Sequence, residues 1–229
     1  MLTSAPWTIV LVLSGVVVSF LLGVVGGVLA AARRNTALGN VLTVSGSLLH
    51  GIPQFVIALF LAYVFTTLWP IFPFGAPYDA AINPGFSGAF IGSVAFHAVL
   101  PIFAYALSSY GGWLLTMKSS VVSVLGEDFV LAAELRGLNP RIRLAYIARN
   151  AILPLFTIFA LSLGFMFGGS VFIENIFDYP GLGHLLLHSI NYRDYPLMSG
   201  AFLFITMAVI LSNILADVLY AVVDPRIRR

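Results

Sequence analysis

Long uncharged runs dominate this chain, and shorter polar stretches separate them. Five of the runs are long and apolar enough to be membrane spans: residues 7–32, 53–69, 90–117, 152–173 and 196–223, with a lead-in segment at 40–49. A helix needs about 20 apolar residues to cross the hydrocarbon of a bilayer. The pattern therefore predicts an all-α fold, a polytopic membrane helix bundle of about five transmembrane helices that forms a single domain over residues 1–229.

The composition agrees with a chain surrounded by membrane lipid. Hydrophobic residues make up 60% of it and charged residues only 9%, against about 25% charged in soluble domains. Cysteine is absent, which excludes disulfides and thiolate metal sites. The basic residues are few, so the pI near 9.0 does not indicate nucleic-acid binding.

The positive charges are sorted between the two sides that five spans create. Arg193 falls on one side, and the other ten basic residues fall on the opposite side. The ten are Arg33, Arg34, Lys118, Arg136, Arg141, Arg143, Arg149, Arg226, Arg228 and Arg229. Cytoplasmic loops carry the excess of Lys and Arg. The N-terminus is therefore predicted outside the cell membrane and the C-terminus in the cytoplasm.

The polar stretch at residues 119–150 predicts two short helices around a sharp turn. Gly137 suits the left-handed position that ends a helix. Asn139 suits the N-cap of the next helix, with Pro140 at its first position. Two interpretations remain open at this point. The stretch either lies on its own bundle or docks a cytoplasmic partner.

Three sequence features within and directly after this stretch resemble a known loop. Ala132-Ala133, Gly137 and Ile152-Leu153-Pro154 are similar to the EAA loop of ABC-importer permeases, which is the coupling helix of that family. Leu131 stands where the family's Glu is expected. The distance from Gly137 to Pro154 is longer than in sugar and amino-acid permeases and is typical of the dipeptide/oligopeptide/nickel family.

Two further segments resemble the same family. Residues 174–183 (Glu-Asn-Ile-Phe-Asp-Tyr-Pro-Gly-Leu-Gly) and 193–196 (Arg-Asp-Tyr-Pro) are similar to its external loop, and residues 217–228 to the end of its B-type subunit. Such permeases usually carry another N-terminal span and a longer external region, and this chain begins where their second span would.

The resemblance implies a permease subunit of an ATP-driven importer that works by alternating access. Its implied partners are a second homologous permease, two cytoplasmic ATPase subunits that bind ATP and Mg, and an external solute-binding protein. The chain itself is expected to hold no cofactor or metal and to be no enzyme. The implied ATPase-coupling residues are Ala132, Ala133, Gly137, Asn139, Pro140 and Arg141. In the external loop at 174–195, the implied gate residues are Tyr179, Pro180, Gly181 and Gly183.

The cargo expected from the resemblance is a di- or oligopeptide, with an oligosaccharide or nickel as alternatives. A stand-alone channel or secondary transporter is a rival of a different class, although such proteins usually place ionisable groups in mid-membrane. A membrane enzyme is disfavoured because the sequence contains no catalytic constellation.

Other candidate sites were weighed on their spacing. Lys118 lacks the preceding glycine of a phosphate-binding loop, because Met117 stands there. His184 and His188 share a helix face but suggest a half-exposed external helix rather than a zinc site. Asp217 has either a structural partner, such as Asn213 or a basic residue, or a gating role. Gly164 and Gly168, like Gly23 and Gly27, either pack helices or line the path.

Overall fold

The computed structural model describes the backbone of residues 1–223, and the side chains of residues 160, 161, 163–169 and 215–223 lie outside that description. Within it the chain is helical, as predicted. The helices are α1 Ala5–Ala32, α2 Ala37–Gly51, α3 Gln54–Ala62, α4 Gly88–Val124, α5 Asp128–Leu135, α6 Pro140–Ala151, α7 Leu153–Ile176, α8 Leu182–Asn191 and α9 Tyr195–Val223.

Three of these helices are long and apolar enough to cross a membrane unbroken: α1, α4 and the described part of α9. Two bent pairs, α2 with α3 and α6 with the start of α7, raise the number to as many as five. The predicted polytopic helix bundle is confirmed in this form. Helix α4 continues past the predicted third span, 90–117, to Val124 and includes the first residues of the predicted 119–150 loop.

The centre of the bundle is the crossing of α1 and α4, where glycines let the two backbones approach. A Cβ added at Gly23 would collide with the Cβ of Trp113, and one at Gly27 would lie 2.6 Å from the Cβ of Met117. Small residues at such positions allow close packing of membrane helices. Packing within the chain is therefore the role of Gly23 and Gly27.

Two clusters of buried side chains fill the bundle, one toward each end. At the end where α1 begins, Leu11 and Val12 pack with Tyr105, Ile173 and Tyr179. This is called the aromatic end below, because the rings of Trp7 and Tyr179 meet edge to face with centroids 5.9 Å apart. Aromatic side chains of this kind favour the interface between membrane and water.

The opposite end is called the basic end, because α1 is followed there by Arg33 and Arg34. Its cluster joins Ala31 of α1 to Met117 and Val121 of α4 and to Val130 and Ile147 of the two short helices. The predicted basic loops that the structure describes therefore lie at one end of the bundle. Residues 224–229, with Arg226, Arg228 and Arg229, lie outside the description.

The second predicted span and its lead-in segment are joined by a sharp bend. The direction of the chain changes by 101° between α2 and the segment at Gln54–Leu68, whose last residues, Tyr63–Leu68, form π-helical turns. Pro53 has no backbone N–H, so it cannot donate to the carbonyl of Leu49 one turn earlier. Ile52 and Pro53 adopt extended ψ angles of 127° and 139°. The lead-in segment of the sequence prediction, residues 40–49, thus makes up most of a separate helix, α2.

Candidate functional site

The turn between α5 and α6 has the geometry expected from its sequence. Gly137 has a φ of 70°, in the left-handed region that glycine adopts without strain. The backbone N–H of Gly137 donates to Glu134 O at 2.9 Å, and that of Leu138 donates to Ala133 O at 3.2 Å. This pair of bonds is the Schellman motif. It reverses the chain within three residues.

The start of α6 is capped as predicted. The Asn139 side chain accepts a hydrogen bond from the backbone N–H of Arg141 at 2.9 Å, and Pro140 occupies the first helical position. Glu127 precedes α5 and Asp128 lies in its first turn, where negative charge stabilises a helix through its dipole. Both helices of this pair, named the hairpin (residues 128–151), therefore begin and end on local sequence signals.

A few contacts hold the hairpin against the bundle. Val130 is buried beside Val121 and Ile147. The Ser120 hydroxyl donates to the carbonyl of Ala151 at 2.6 Å, which joins α4 to the end of α6. These contacts fix the position of the hairpin at the basic end.

A surface ion pair also joins the two helices of the hairpin. Arg143 of α6 lies 2.8 Å from Glu134 of α5. Both side chains are partly exposed, so the pair contributes about 1 kcal/mol or less. Its role is to orient one helix on the other rather than to stabilise the fold.

The outer side of α5 is apolar and has no partner within the described chain. Leu131 is 57% exposed and Leu135 80% exposed, while Ala132 is exposed and Ala133 half-buried. Contiguous apolar surface of this kind on a helix with a buried anchor marks an interaction site. The side chain that replaces the family's Glu, Leu131, belongs to this outer surface.

The external loop is organised by a buried carboxylate that the sequence interpretation left without a role. Glu174, at the end of α7, is fully buried. It accepts hydrogen bonds from the backbone N–H groups of Gly183 at 2.7 Å and His184 at 3.2 Å. Thr8 of α1 accepts one from the N–H of Leu182 at 2.8 Å. The first three N–H groups of α8, which a helix cannot satisfy itself, are therefore capped by α1 and α7.

Gly181 and Gly183 of this loop are required for close approach rather than for a left-handed conformation. Neither has a positive φ. Gly181 is extended (φ −85°, ψ −177°), and Gly183 lies within α8. A Cβ at Gly181 would collide with the carboxyl group of Glu174, and one at Gly183 would lie 2.5 Å from the Cα of Val171. The positive φ angles of the external loop belong to Arg193, at 57°, and Asp178, at 50°. Aspartate tolerates this region better than most residue types.

Tyr179, one of the implied gate residues, is buried beneath the loop. Only 1% of it is accessible, and it lies between Trp7 and the buried cluster of the aromatic end. Burial, with a smaller effect from the charge of Glu174, raises the pKa of Tyr179 to about 12. The phenol therefore stays neutral at physiological pH, and its ring anchors the loop. Pro180, which follows it, is half-buried.

The remaining candidates fall into two groups. His184 and His188 lie on the predicted external helix, α8, and Asp178 lies 3.6 Å from His184. The described residues contain no group of three side chains that could hold a metal ion. Gly164, Gly168 and Asp217 lie in helices whose side chains at those positions are outside the description.

Comparison with known proteins places this arrangement in a family. Residues 23–229 match the family described as the binding-protein-dependent transport system inner membrane component. The chain is 34% identical over 222 residues to a protein of Brucella suis named as a peptide permease. The alignment covers 96% of this chain and 68% of that relative. It is 33% identical over 225 residues to the nickel import system permease protein NikB of Staphylococcus aureus. That alignment covers 98% of this chain and 63% of NikB.

The fold has a solved counterpart. The crystal structure of an amino acid ABC transporter with histidines superposes on 94% of this chain and 93% of its own chain, with a TM-score of 0.60 and 15% identity. At that identity the likeness concerns the fold. Together with the family match over nine tenths of the sequence, it confirms the resemblance inferred from the hairpin and the external loop. The chain belongs to the inner membrane permeases of binding-protein-dependent ABC importers and is a multi-pass transport protein of the peptide and nickel permease group.

Proposed function

We propose that this chain forms the translocation path with a second, homologous permease and is driven by two cytoplasmic ATPase subunits that bind ATP and Mg. The outer apolar surface of α5 is the observation that carries the proposal. It has a buried anchor, a rigid turn and exposed leucines, which suits a helix that fits a groove of an ATPase. Closure of the ATPase pair would then push on the hairpin and rock the spans, as in other two-state bundles.

The external loop is proposed to receive the solute-binding protein. Thr8 of α1 and Glu174 of α7 cap the start of α8, so a displacement of α8 by the solute-binding protein would be transmitted to both helices. The cargo is proposed to be a di- or oligopeptide, as the name of the Brucella relative suggests. Nickel is the alternative suggested by the name of NikB, and an oligosaccharide importer of the same family is a further one.

A pull-down from mild detergent tests the docking surface. Leu135→Asp places a charge in the proposed contact but removes no packing in the described chain, since this side chain is largely exposed. We expect the wild-type chain to retain the two ATPases and Leu135→Asp to lose at least about nine tenths of them, because an unpaired charge in an interface is costly.

Tyr192→Asp provides the matched control, because Tyr192 is 74% exposed at the aromatic end. It should retain the ATPases at the wild-type level. If neither the wild-type chain nor the control retained any ATPase, a stand-alone channel or secondary transporter would become the better proposal.

The orientation is proposed from the charge sorting, with the basic end in the cytoplasm. A reporter active only in the cytoplasm should be active when fused after Arg229 and silent when inserted near Asp79, in the segment between α3 and α4. Fusion in the hairpin, after Leu138, should be active. Activity near Asp79 with silence at the other two positions would reverse the orientation and remove the hairpin from reach of an ATPase.

A further inference from the structure

One side of α2 carries polar residues along its whole length. Asn40, Thr43, Ser47 and His50 recur at intervals of three and four residues. At 3.6 residues per turn they fall within roughly 80° of the helix circumference. This set is called the polar lane. The buried side of α2, at Gly39 and Gly46, and its exposed apolar side, at Val44 and Leu48, lie on either side of it.

The polar lane runs from the basic end to the middle of the bundle. Gly39 lies against the carbonyl of Arg33, just beyond α1. His50 lies beside Gly111 of α4. Gly111 is two residues before Trp113, which contacts Gly23 of α1. Gly23 is about 13 Å of helix from the end of α1. His50 is therefore an ionisable residue deep within the membrane bundle.

Within the polar lane, Thr43 is hydrogen-bonded to Gly39 and Lys118, but the other groups lack protein partners among the described residues. Asn40, Ser47 and His50 are exposed, and in the described part of the chain the side chains of Ser47 and His50 make no hydrogen bond. The lane ends at the break between α2 and α3, where the exposed Pro53 leaves the carbonyl of Leu49 without its helical donor. Polar side chains and irregular backbone at membrane depth occur where they meet protein or water, and not against lipid.

A single cation accompanies the lane among the described span residues. Lys118 of α4 donates to the Thr43 hydroxyl at 2.9 Å and is only partly buried. No acidic side chain of the described residues pairs with it. A cation left unpaired in this way requires water nearby.

From these placements we propose that the polar lane and Lys118 line the water-filled inner half of the translocation path. This inference rests on the proposed permease function and adds to it a class of solute. A hydrated solute that is neutral or carries a carboxylate, such as a peptide, passes this cation more readily than a bare divalent metal ion does. The inner surface thus favours the peptide alternative over free nickel.

The absence of cysteine from the chain makes substituted cysteines unique probes. We would place Ser47→Cys in the lane and Leu48→Cys on the adjacent apolar side, in the complex as expressed in membrane vesicles. A membrane-impermeant methanethiosulfonate applied from the basic side should modify the first at least about tenfold faster than the second. A lipid-soluble maleimide should show no such preference.

The positive charge of Lys118 is tested separately, by comparing modification rates for reagents of opposite charge. The positive charge of Lys118 lies about one helical turn from Ser47. It should speed the reaction of the Ser47→Cys thiol with a sulfonate-bearing methanethiosulfonate about two- to threefold and slow the reaction with a trimethylammonium-bearing one by a similar factor. Lys118→Met should abolish this difference, while Arg34→Met, an exposed control, should preserve it. An unchanged ratio in Lys118→Met would overturn the role of the cation.

Two outcomes would overturn the lane itself. Equal, slow modification of both cysteines by the impermeant reagent would place the lane in lipid. Complete protection of the Ser47→Cys thiol from both reagents in the assembled complex would make it an interface with the second permease. Failure of the proposed function is seen separately, because loss of ATPase co-purification leaves the modification rates unchanged.

Discussion

Gly137→Val is expected to lower solute uptake about tenfold or more while the protein still reaches the membrane. A β-branched residue at a φ of 70° is strained by about 1–2 kcal/mol. A collision is not involved, since nothing lies within 4 Å of a Cβ at this position. The strain is relieved by opening the turn, which breaks the bonds of Gly137 and Leu138 to α5 and moves α5 relative to α6. A docking helix tolerates a misplacement of less than about 1 Å.

Gly137→Asn is the matched control, because asparagine adopts the left-handed conformation at little cost. It should keep most of the uptake. Ala133→Asp should uncouple the complex by a different route, through a charge on α5. The measurement is uptake together with ATPase activity stimulated by the binding protein, in reconstituted vesicles at matched expression. Full uptake in both Gly137→Val and Ala133→Asp would show that the hairpin is not the coupling element.

Glu174→Ala is expected to abolish uptake by acting at the opposite end of the molecule. It removes two hydrogen bonds to a carboxylate, at 2.7 and 3.2 Å, each contributing about 1.5–3 kcal/mol. It also leaves two N–H groups at the start of α8 without a partner. We therefore expect α8 and residues 177–181 to detach locally, which amide hydrogen exchange over residues 179–191 would detect. ATPase association should remain, because the hairpin lies at the other end of the bundle.

Two variants separate this effect from a general loss of stability. Glu174→Gln keeps one oxygen that can accept both bonds but loses the carboxylate charge, so it should give an intermediate loss of uptake. Asp178→Asn keeps a residue that tolerates the positive φ and alters only an exposed contact to His184, so it should behave like wild type. Gly181→Val should reproduce Glu174→Ala, because its side chain would displace the same carboxyl group. Slow hydrogen exchange across α8 in Glu174→Ala would refute the capping role.

Local features of the candidate site could be predicted from the sequence because their causes are local. The turn of the hairpin depends on the φ of Gly137 and on the side chain of Asn139, which lie within three neighbouring positions of the chain. The sorting of the basic residues depends on where the uncharged runs begin and end. The extension of α4 beyond residue 117 was missed because Ser119 and Ser120 appear polar in sequence. In the structure Ser120 satisfies its hydroxyl on Ala151 and the adjacent Val121 is buried.

The caps of α8 could not be predicted because they bring together residues distant in the chain. Thr8 is 174 positions from Leu182, and no local signal links them. The only clue was a glutamate placed just before a Pro-Gly-Leu-Gly turn. The polar lane was hidden in the same way, since its residues are separated by apolar ones and become a surface only once the end of α1 covers Gly39 and α4 covers Gly46.

The sequence by itself therefore determined the helical spans, the basic end and the conformation of the hairpin turn. Each follows from hydrophobicity, charge or the backbone preference of a few adjacent residues. Only the tertiary structure decided which groups complete the external loop, which glycines are needed for close approach, and which side of α2 remains open. These depend on contacts between helices, where a side chain such as Glu174 is stabilised by donors that no neighbour in sequence provides.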